Sequence, residues 1–206
     1  KWAAEAEDRY LIEDDYDSEF RYRGKPVPSL QASDTAGKVI YVGTFSKSIA
    51  PAIRISFMVL PERLLERYRE TCGFFSSTVS RIDQTILNEF IRSGAFERHL
   101  NKMRKIYKDK HDILLEELKP LLTKYRLSGE NAGLHVLLTS RGPTREQELL
   151  RLAAERGVRI YGLEEAALAP MAEGRKQDGA TVLLGYAGLD ENRIREGVRR
   201  LREILV

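Results

Sequence analysis

Three short apolar runs constrain this chain most: YLIED (10–14), VIYVGT (39–44) and ISFMVLP (55–61). Each is continuous rather than alternating, which is the pattern of strands covered on both faces of a sheet. The link from Thr44 to Ile55 is about ten residues long and contains Pro51. A helical crossover between parallel strands needs roughly a dozen residues or more. The third strand is therefore expected to run antiparallel to the second.

Helical patterns follow. Pro61 and Glu62 open a helix over PERLLERYRETCGF, with proline in its first turn. RIDQTILNEFIRSG reads as a second helix that stops at Gly94, and a third starts near Ala95. In that third helix Phe96, Leu100, Met103, Tyr107, Leu114 and Leu118 keep helical spacing, and Pro120 closes it. Beyond it, GLHVLLTS, VRIYGL and TVLLGYA read as strands and PTREQELLRLAAERG as an amphipathic helix ending at Gly157. DENRIREGVRRLREILV reads as a terminal helix capped by Asp190, and MAEGRKQDGA (171–180) as an exposed loop. The order predicts an α/β protein. Residues 1–94 are expected to form part of a large domain with a mixed, mostly parallel sheet, 95–120 a long interdomain helix, and 121–206 a small α/β domain. Three strands are fewer than the ~4–6 of an ordinary sheet. The chain also begins in what reads as the end of a helix, so further strands are expected upstream and this is expected to be the C-terminal part of a longer protein.

Composition excludes several classes. No apolar run approaches the ~18 residues of a membrane span, and KWAAEAEDRY lacks the apolar core of a signal peptide. The single cysteine, Cys72, rules out an internal disulfide framework and a cysteine-based zinc site, and reads as a semi-buried structural thiol. A cytoplasmic location fits this usage. Lys and Arg number 34 against 31 Asp and Glu, an excess too small to argue for nucleic-acid binding by itself. No histidine pair has metal-ligand spacing, so no metal is expected.

Ligands of open α/β sheets gather outside the carboxyl ends of strands. Here one run delivers Glu13, Asp14, Asp15, Tyr16 and Asp17; the next delivers Thr44, Ser46 and Lys47, with Arg54 seven residues after the lysine. Lysine forms a Schiff base with an aldehyde, and hydroxyls with an arginine fork suit a phosphate dianion. A carboxylate keeps a pyridine nitrogen protonated, and a phenol donates to a ring oxygen. Pyridoxal 5′-phosphate needs all of these partners. Each residue alone has an ordinary reading: a solvated lysine, an aspartate turn, a hydroxyl helix cap. Their joint placement at two strand ends is what argues for a site.

IEDDYDSEFRYRGKPVPSLQ followed by VIYVGTFSKSIAPAIRISFMVLP resembles the aminotransferase-like domain of the MocR family of bacterial regulators, the GabR-like group. HLNKMRKIYKDKHDILLEEL and GENAGLHVLL are similar to that family too, and the resemblance weakens only over 141–180. It implies a fold type I pyridoxal-phosphate fold. By that resemblance Lys47 matches the Schiff-base lysine, Asp14 the carboxylate at the pyridine nitrogen and Tyr16 the phenol at the ring 3-oxygen, while Thr44, Ser46 and Arg54 fall in the phosphate-contacting block. It further implies a homodimer, with the loop 15–38 lining the subunit interface. A small amino-acid-like effector is implied, and DNA binding only through an N-terminal winged helix-turn-helix of the GntR type that this sequence does not contain. A genuine aminotransferase, or a fragment that no longer binds cofactor, are the alternatives. The sequence departs from the pattern at Leu183, where many fold type I enzymes carry an arginine that grips the substrate carboxylate. Arg159, or an arginine outside this sequence, is the candidate replacement.

The basic stretch RHLNKMRKIYKDKHD reads as the solvated face of the long helix rather than a DNA-facing one. His99 and His111 are expected on that surface. His135, amid apolar neighbours, is expected to be a hydrogen-bonded sheet histidine.

Overall fold

Strands β1 (Leu11–Asp15) and β2 (Val39–Thr44) pair in parallel, from Leu11 beside Val39 to Asp15 beside Gly43. The computed structural model describes residues 1–164 and 179–205. Strand β3 (Ser56–Val59) returns antiparallel to β2, as the short link requires. The sheet order is β1-β2-β3, with one parallel and one antiparallel pair, so it is mixed without the expected parallel majority. The antiparallel return takes up the one further edge that β2 offers. Gly43 lies across from Phe57, whose ring occupies the space a Cβ would need, and that ring also packs on Phe45 at 5.3 Å.

The chain divides into two units, Lys1–Glu19 with Gly24–Met103, and Phe20–Arg23 with Arg104–Val206. The first holds the three-stranded sheet with helices α1 (Phe45–Ser48), α2 (Glu62–Cys72) and α3 (Arg81–Arg92). Ser80 caps α3, accepting from the Ile82 and Asp83 N–H groups at 3.2 and 3.5 Å. Gly94, at φ +71°, makes the left-handed break after which α4 (Ala95–Leu118) begins. The long helix expected to link two domains is shared between the units at Met103 and Arg104. Coverage of both sheet faces is not achieved by the described residues. Ile12 is 73% exposed, and Phe57, Met58 and Val59 are exposed as well. Phe74, Phe75, Ile82 and Ile86 add further apolar surface on this unit.

The second unit has a four-stranded antiparallel sheet, β4 (Tyr125–Ser128), β5 (His135–Ser140), β6 (Tyr161–Gly162) and β7 (Thr181–Gly185), in the order β4-β5-β7-β6. Val136 and Leu138 alternate toward the core and meet Val182 and Leu184, while α6 (Glu191–Leu205) supplies Ile194, Val198 and Leu201. Helix α5 (Glu146–Glu155) adds Leu149 and Ala153. Asp190 caps α6, its Oδ1 accepting from the Arg193 N–H at 2.8 Å. Strand β4 was not anticipated, and the strand expected over VRIYGL contracts to two residues. Most of the loop expected at 171–180 lies outside the described residues.

Three expectations about histidines are corrected, that for His135 in part. His111 is 1% exposed, because Leu114 and Leu118 follow it at helical spacing on the core side of α4. Its ring packs against Tyr22 at 4.8 Å and Tyr186 at 5.8 Å. His99 is half-buried beside Phe90, and its Nε2 has no partner among the described residues. His135 lies in β5 as expected, but its ring makes no hydrogen bond among the described residues.

Part of the long loop after β1 belongs to the second unit. Tyr22 and Arg23 donate their backbone N–H groups to Asn131 O at 2.9 and 3.2 Å, and Gly133 N–H donates to Phe20 O at 2.8 Å. Phe20 is fully buried, edge-on to Tyr107 at 5.0 Å. Burying such a ring stabilises by about 1.5–3 kcal/mol, so this strap is an integral part of the second unit's packing.

Candidate functional site

The parallel register brings the carboxyl ends of β1 and β2 to the same end of the sheet. Asp14 stands beside Val42, so Asp14, Val42 and Thr44 share one face. Glu13, Asp15 and Tyr41 share the other, where the Tyr41 hydroxyl donates to Asp15 Oδ2 at 2.7 Å. This parity sorts the three consecutive acids. Glu13 accepts from the Leu30 and Gln31 N–H groups at 2.8 and 3.0 Å and so fixes the start of a 3-10 turn. Asp15 accepts from Tyr41 and also from the Ser18 N–H and hydroxyl. Asp14 has neither a hydrogen bond nor an ion pair among the described residues. Two residues on, the exposed Tyr16 phenol is pushed above its ordinary range by the charge of Asp17, then by burial and by Asp14.

On the neighbouring strand end the chain leaves Thr44 into α1. Phe45 N–H donates to Ile55 O at 3.0 Å and the Thr44 hydroxyl to the same oxygen at 3.2 Å. These two bonds close the excursion 45–54 on itself and return Arg54 to the start of α1. Thr44 Oγ1 also accepts from the Ser46 N–H at 3.2 Å. Thr44 therefore has its donor and one acceptor site committed to local structure. The Ser46 hydroxyl, the Lys47 amine and the Arg54 guanidinium have no partner among the described residues.

Arg54 is held at φ +50°, the only non-glycine residue in the left-handed region among the described residues. It follows directly on the 3-10 turn Pro51–Ile53. That conformation costs a residue with a Cβ about 1–2 kcal/mol, and such strain concentrates where a side chain must be aimed. Ser48, one residue past the lysine, is buried with an unpartnered hydroxyl. Sequence reasoning passed over Ser48, whose burial no pattern in FSKS announces.

The sheet end thus gathers an amine, a carboxylate, a phenol, a free hydroxyl and a guanidinium. Lys47 and Asp14 do not neutralise each other, so both are available to a third party. The second unit holds the remaining two candidates. Leu183 lies at the middle of β7, across from Leu137 on one side and Tyr161 on the other. The Arg159 guanidinium lies over the Tyr161 ring at 5.1 Å.

Comparison with known proteins matches residues 7–201 to the model of aminotransferase class I and II. The chain belongs to that family. Within it, the chain is 45% identical over 98% of its length to an uncharacterized HTH-type transcriptional regulator, YdeL, of Bacillus subtilis, and covers 42% of that protein. It is 35% identical over 96% of its length to the probable rhizopine catabolism regulatory protein MocR of Rhizobium meliloti, covering 39% of it. The chain therefore spans about two fifths of the length of these curated relatives, which it covers by 42% and 39%. Among solved structures, the multiple substrate aminotransferase of Thermococcus profundus superposes with a TM-score of 0.82 at 28% identity, over 95% of this chain and 47% of that one. The fold type I architecture expected from the sequence is matched over about half of this solved aminotransferase, 47% of its chain. No helix among the described residues is long and apolar enough to cross a membrane.

Proposed function

We propose that this chain is the pyridoxal-phosphate-binding, effector-sensing part of a transcriptional regulator, with Asp14, Tyr16, Thr44, Ser46, Lys47 and Arg54 as its cofactor site. The observation that carries the reading is the selective availability of polar groups at one sheet end. Glu13, Asp15 and Thr44 are occupied by their neighbours, whereas Asp14, Ser46, Lys47 and Arg54 are not. The available set fits the cofactor: an amine for its aldehyde, a carboxylate for its ring nitrogen, and a hydroxyl and guanidinium for its phosphate.

When bound, pyridoxal phosphate supplies an aldehyde, for which an effector's amine competes with the Lys47 amine, and a ring that withdraws electron density. Lys47 would anchor the cofactor and hold a proton at Nζ when released. Asp14 would keep the ring nitrogen protonated, since an adjacent anion favours the charged form. Tyr16, with its phenol raised by Asp17, burial and Asp14, stays a donor and would orient the ring through its oxygen. Arg54 and Ser46 would hold the phosphate, and Thr44 would position Ser46 through the capping bond rather than donate.

Similarity to two regulators supports a role in transcriptional regulation; in this reading the chain senses an amino-acid-like effector, forms a homodimer and contacts DNA through a winged helix-turn-helix outside residues 1–206. The effector would shift the regulator between two arrangements by its differential affinity for them. The alternative, a true aminotransferase, draws support from the match to a working enzyme and from the availability of Lys47 as a proton carrier. An absorbance titration with pyridoxal phosphate tests the site: a band near the visible edge is expected, and its loss in Lys47→Ala. A band that survives in Lys47→Ala refutes the assignment. Adding amino acids then separates the readings. A spectral change with altered DNA affinity supports the sensor, and repeated turnover of donor to keto acid overturns it.

A further inference from the structure

An open groove of about 660 Å3 lies within the second unit and shares no residue with the β1–β2 site. That size is in the ~300–1,000 Å3 range of small-ligand pockets. One wall is the outward face of α4 and another the edge of the β4–β5 hairpin, while Tyr22 and Arg23 of the strap form a third. Four of its charges cancel in place. Lys108 Nζ is 2.5 Å from Asp112 Oδ2, and Lys119 Nζ is 2.6 Å from Glu116 Oε2. What remains is Arg23, Arg126 and Arg141 against Glu130, and none of these four side chains has a hydrogen bond or ion pair among the described residues.

The fold places these arginines against an electrostatic cost. Arg141 N–H donates to Lys124 O at 2.8 Å, extending the ladder one step beyond the Tyr125–Ser140 pair, so Lys124 stands opposite Arg141. Arg126, opposite Thr139, is the diagonal neighbour on the same face. Like charges directly across an antiparallel pair destabilise it. Arg23 faces the groove from a strap whose backbone is fixed by two bonds to Asn131 O and whose Tyr22 ring is packed on His111. An arginine fork matches two oxygens of a phosphate or carboxylate. Three such forks with one opposing carboxylate match a ligand carrying at least two negative charges on clustered oxygens.

We propose that this groove binds a small phosphorylated ligand through Arg23, Arg126 and Arg141. A phosphate offers several oxygens to more than one fork, and Glu130 and Tyr22 line the groove beside them. Nucleic acid is disfavoured, since the unpaired Glu130 lines the same groove and would repel an extended polyanion.

Calorimetric titration of the native protein with inorganic pyrophosphate tests the proposal. Saturable binding is expected, weakened about tenfold or more in Arg126→Ala/Arg141→Ala, as loss of charge-assisted bonds predicts. Arg23→Ala, on the strap, weakens it as well. The double variant is expected to melt no lower than wild type, because it removes a like-charge pair. The proposal is overturned by absence of binding or by undiminished binding in the folded double variant. It is equally overturned if succinate binds as tightly as pyrophosphate, or if only a short DNA duplex binds in an Arg126- and Arg141-dependent way.

Discussion

Arg54 allows charge and backbone strain to be separated in one experiment. Its side chain is assigned to a phosphate, and its backbone sits at φ +50°. Replacing it by alanine removes the guanidinium and keeps the left-handed strain of about 1–2 kcal/mol. Replacing it by glycine removes both, at an entropic cost of about 0.5–1 kcal/mol relative to alanine. Arg54→Gly is therefore expected to be more stable than Arg54→Ala by up to about 1.5 kcal/mol in urea unfolding without cofactor. Both variants lose the same charge-assisted bonds to phosphate, worth about 1.5–3 kcal/mol, or roughly ten- to a hundredfold in affinity for pyridoxal phosphate. Equal affinity losses with unequal stabilities are the signature. Wild-type affinity in both variants would refute the phosphate role, and a glycine variant less stable than the alanine variant would refute the strain.

Three further perturbations test the packing within the two units. Phe20→Ala, at a fully buried ring, is expected to cost about 3–5 kcal/mol in denaturant unfolding, since the strap loses its anchor. Gly43→Ala forces the Phe57 ring out of the space a Cβ would take and is expected to cost about 1–3 kcal/mol in the same assay. Tyr41 is held well above the ordinary tyrosine range by burial and by its bond to Asp15. The folded state therefore keeps this proton after the unfolded chain has lost it, and the contribution falls as pH rises above about 10. Tyr41→Phe should make the alkaline decline of the melting temperature shallower; an unchanged slope would count against the Tyr41–Asp15 bond.

Strand direction was legible because loop length is a hard limit: ten residues with a proline return a chain but do not cross it over. The antiparallel β2–β3 pair follows from counting alone. Strand β4 was not legible because Tyr-Arg-Leu-Ser is too short for alternation to stand out, and its pairing with β5 is long-range. His111 was misplaced for a related reason. Lys108, Asp109, Lys110 and Asp112 surround it and read as a solvated face, yet the helical period turns that one position inward with Leu114 and Leu118. The strap was hidden inside the loop 15–38, where no periodicity marks Phe20 for burial.

The site was legible as a set of residue types and illegible as a division of labour. Three adjacent acids look interchangeable in EDD, and only the register of β1 on β2 tells them apart. Parity sends Glu13 and Asp15 to the face of Tyr41 and leaves Asp14 on the face of Thr44. A slip of β1 by one residue against β2 would exchange those duties, since the side-chain period of a strand is two. Asp14 would then stand on the face of Tyr41, and Glu13 and Asp15, parted from their present partners, on the face of Thr44. The bonds that hold Glu13 to the Leu30 turn and Asp15 to Tyr41 and Ser18 thus fix the register from the far side of the sheet. In this sense the two occupied acids are positioning residues for the unoccupied one.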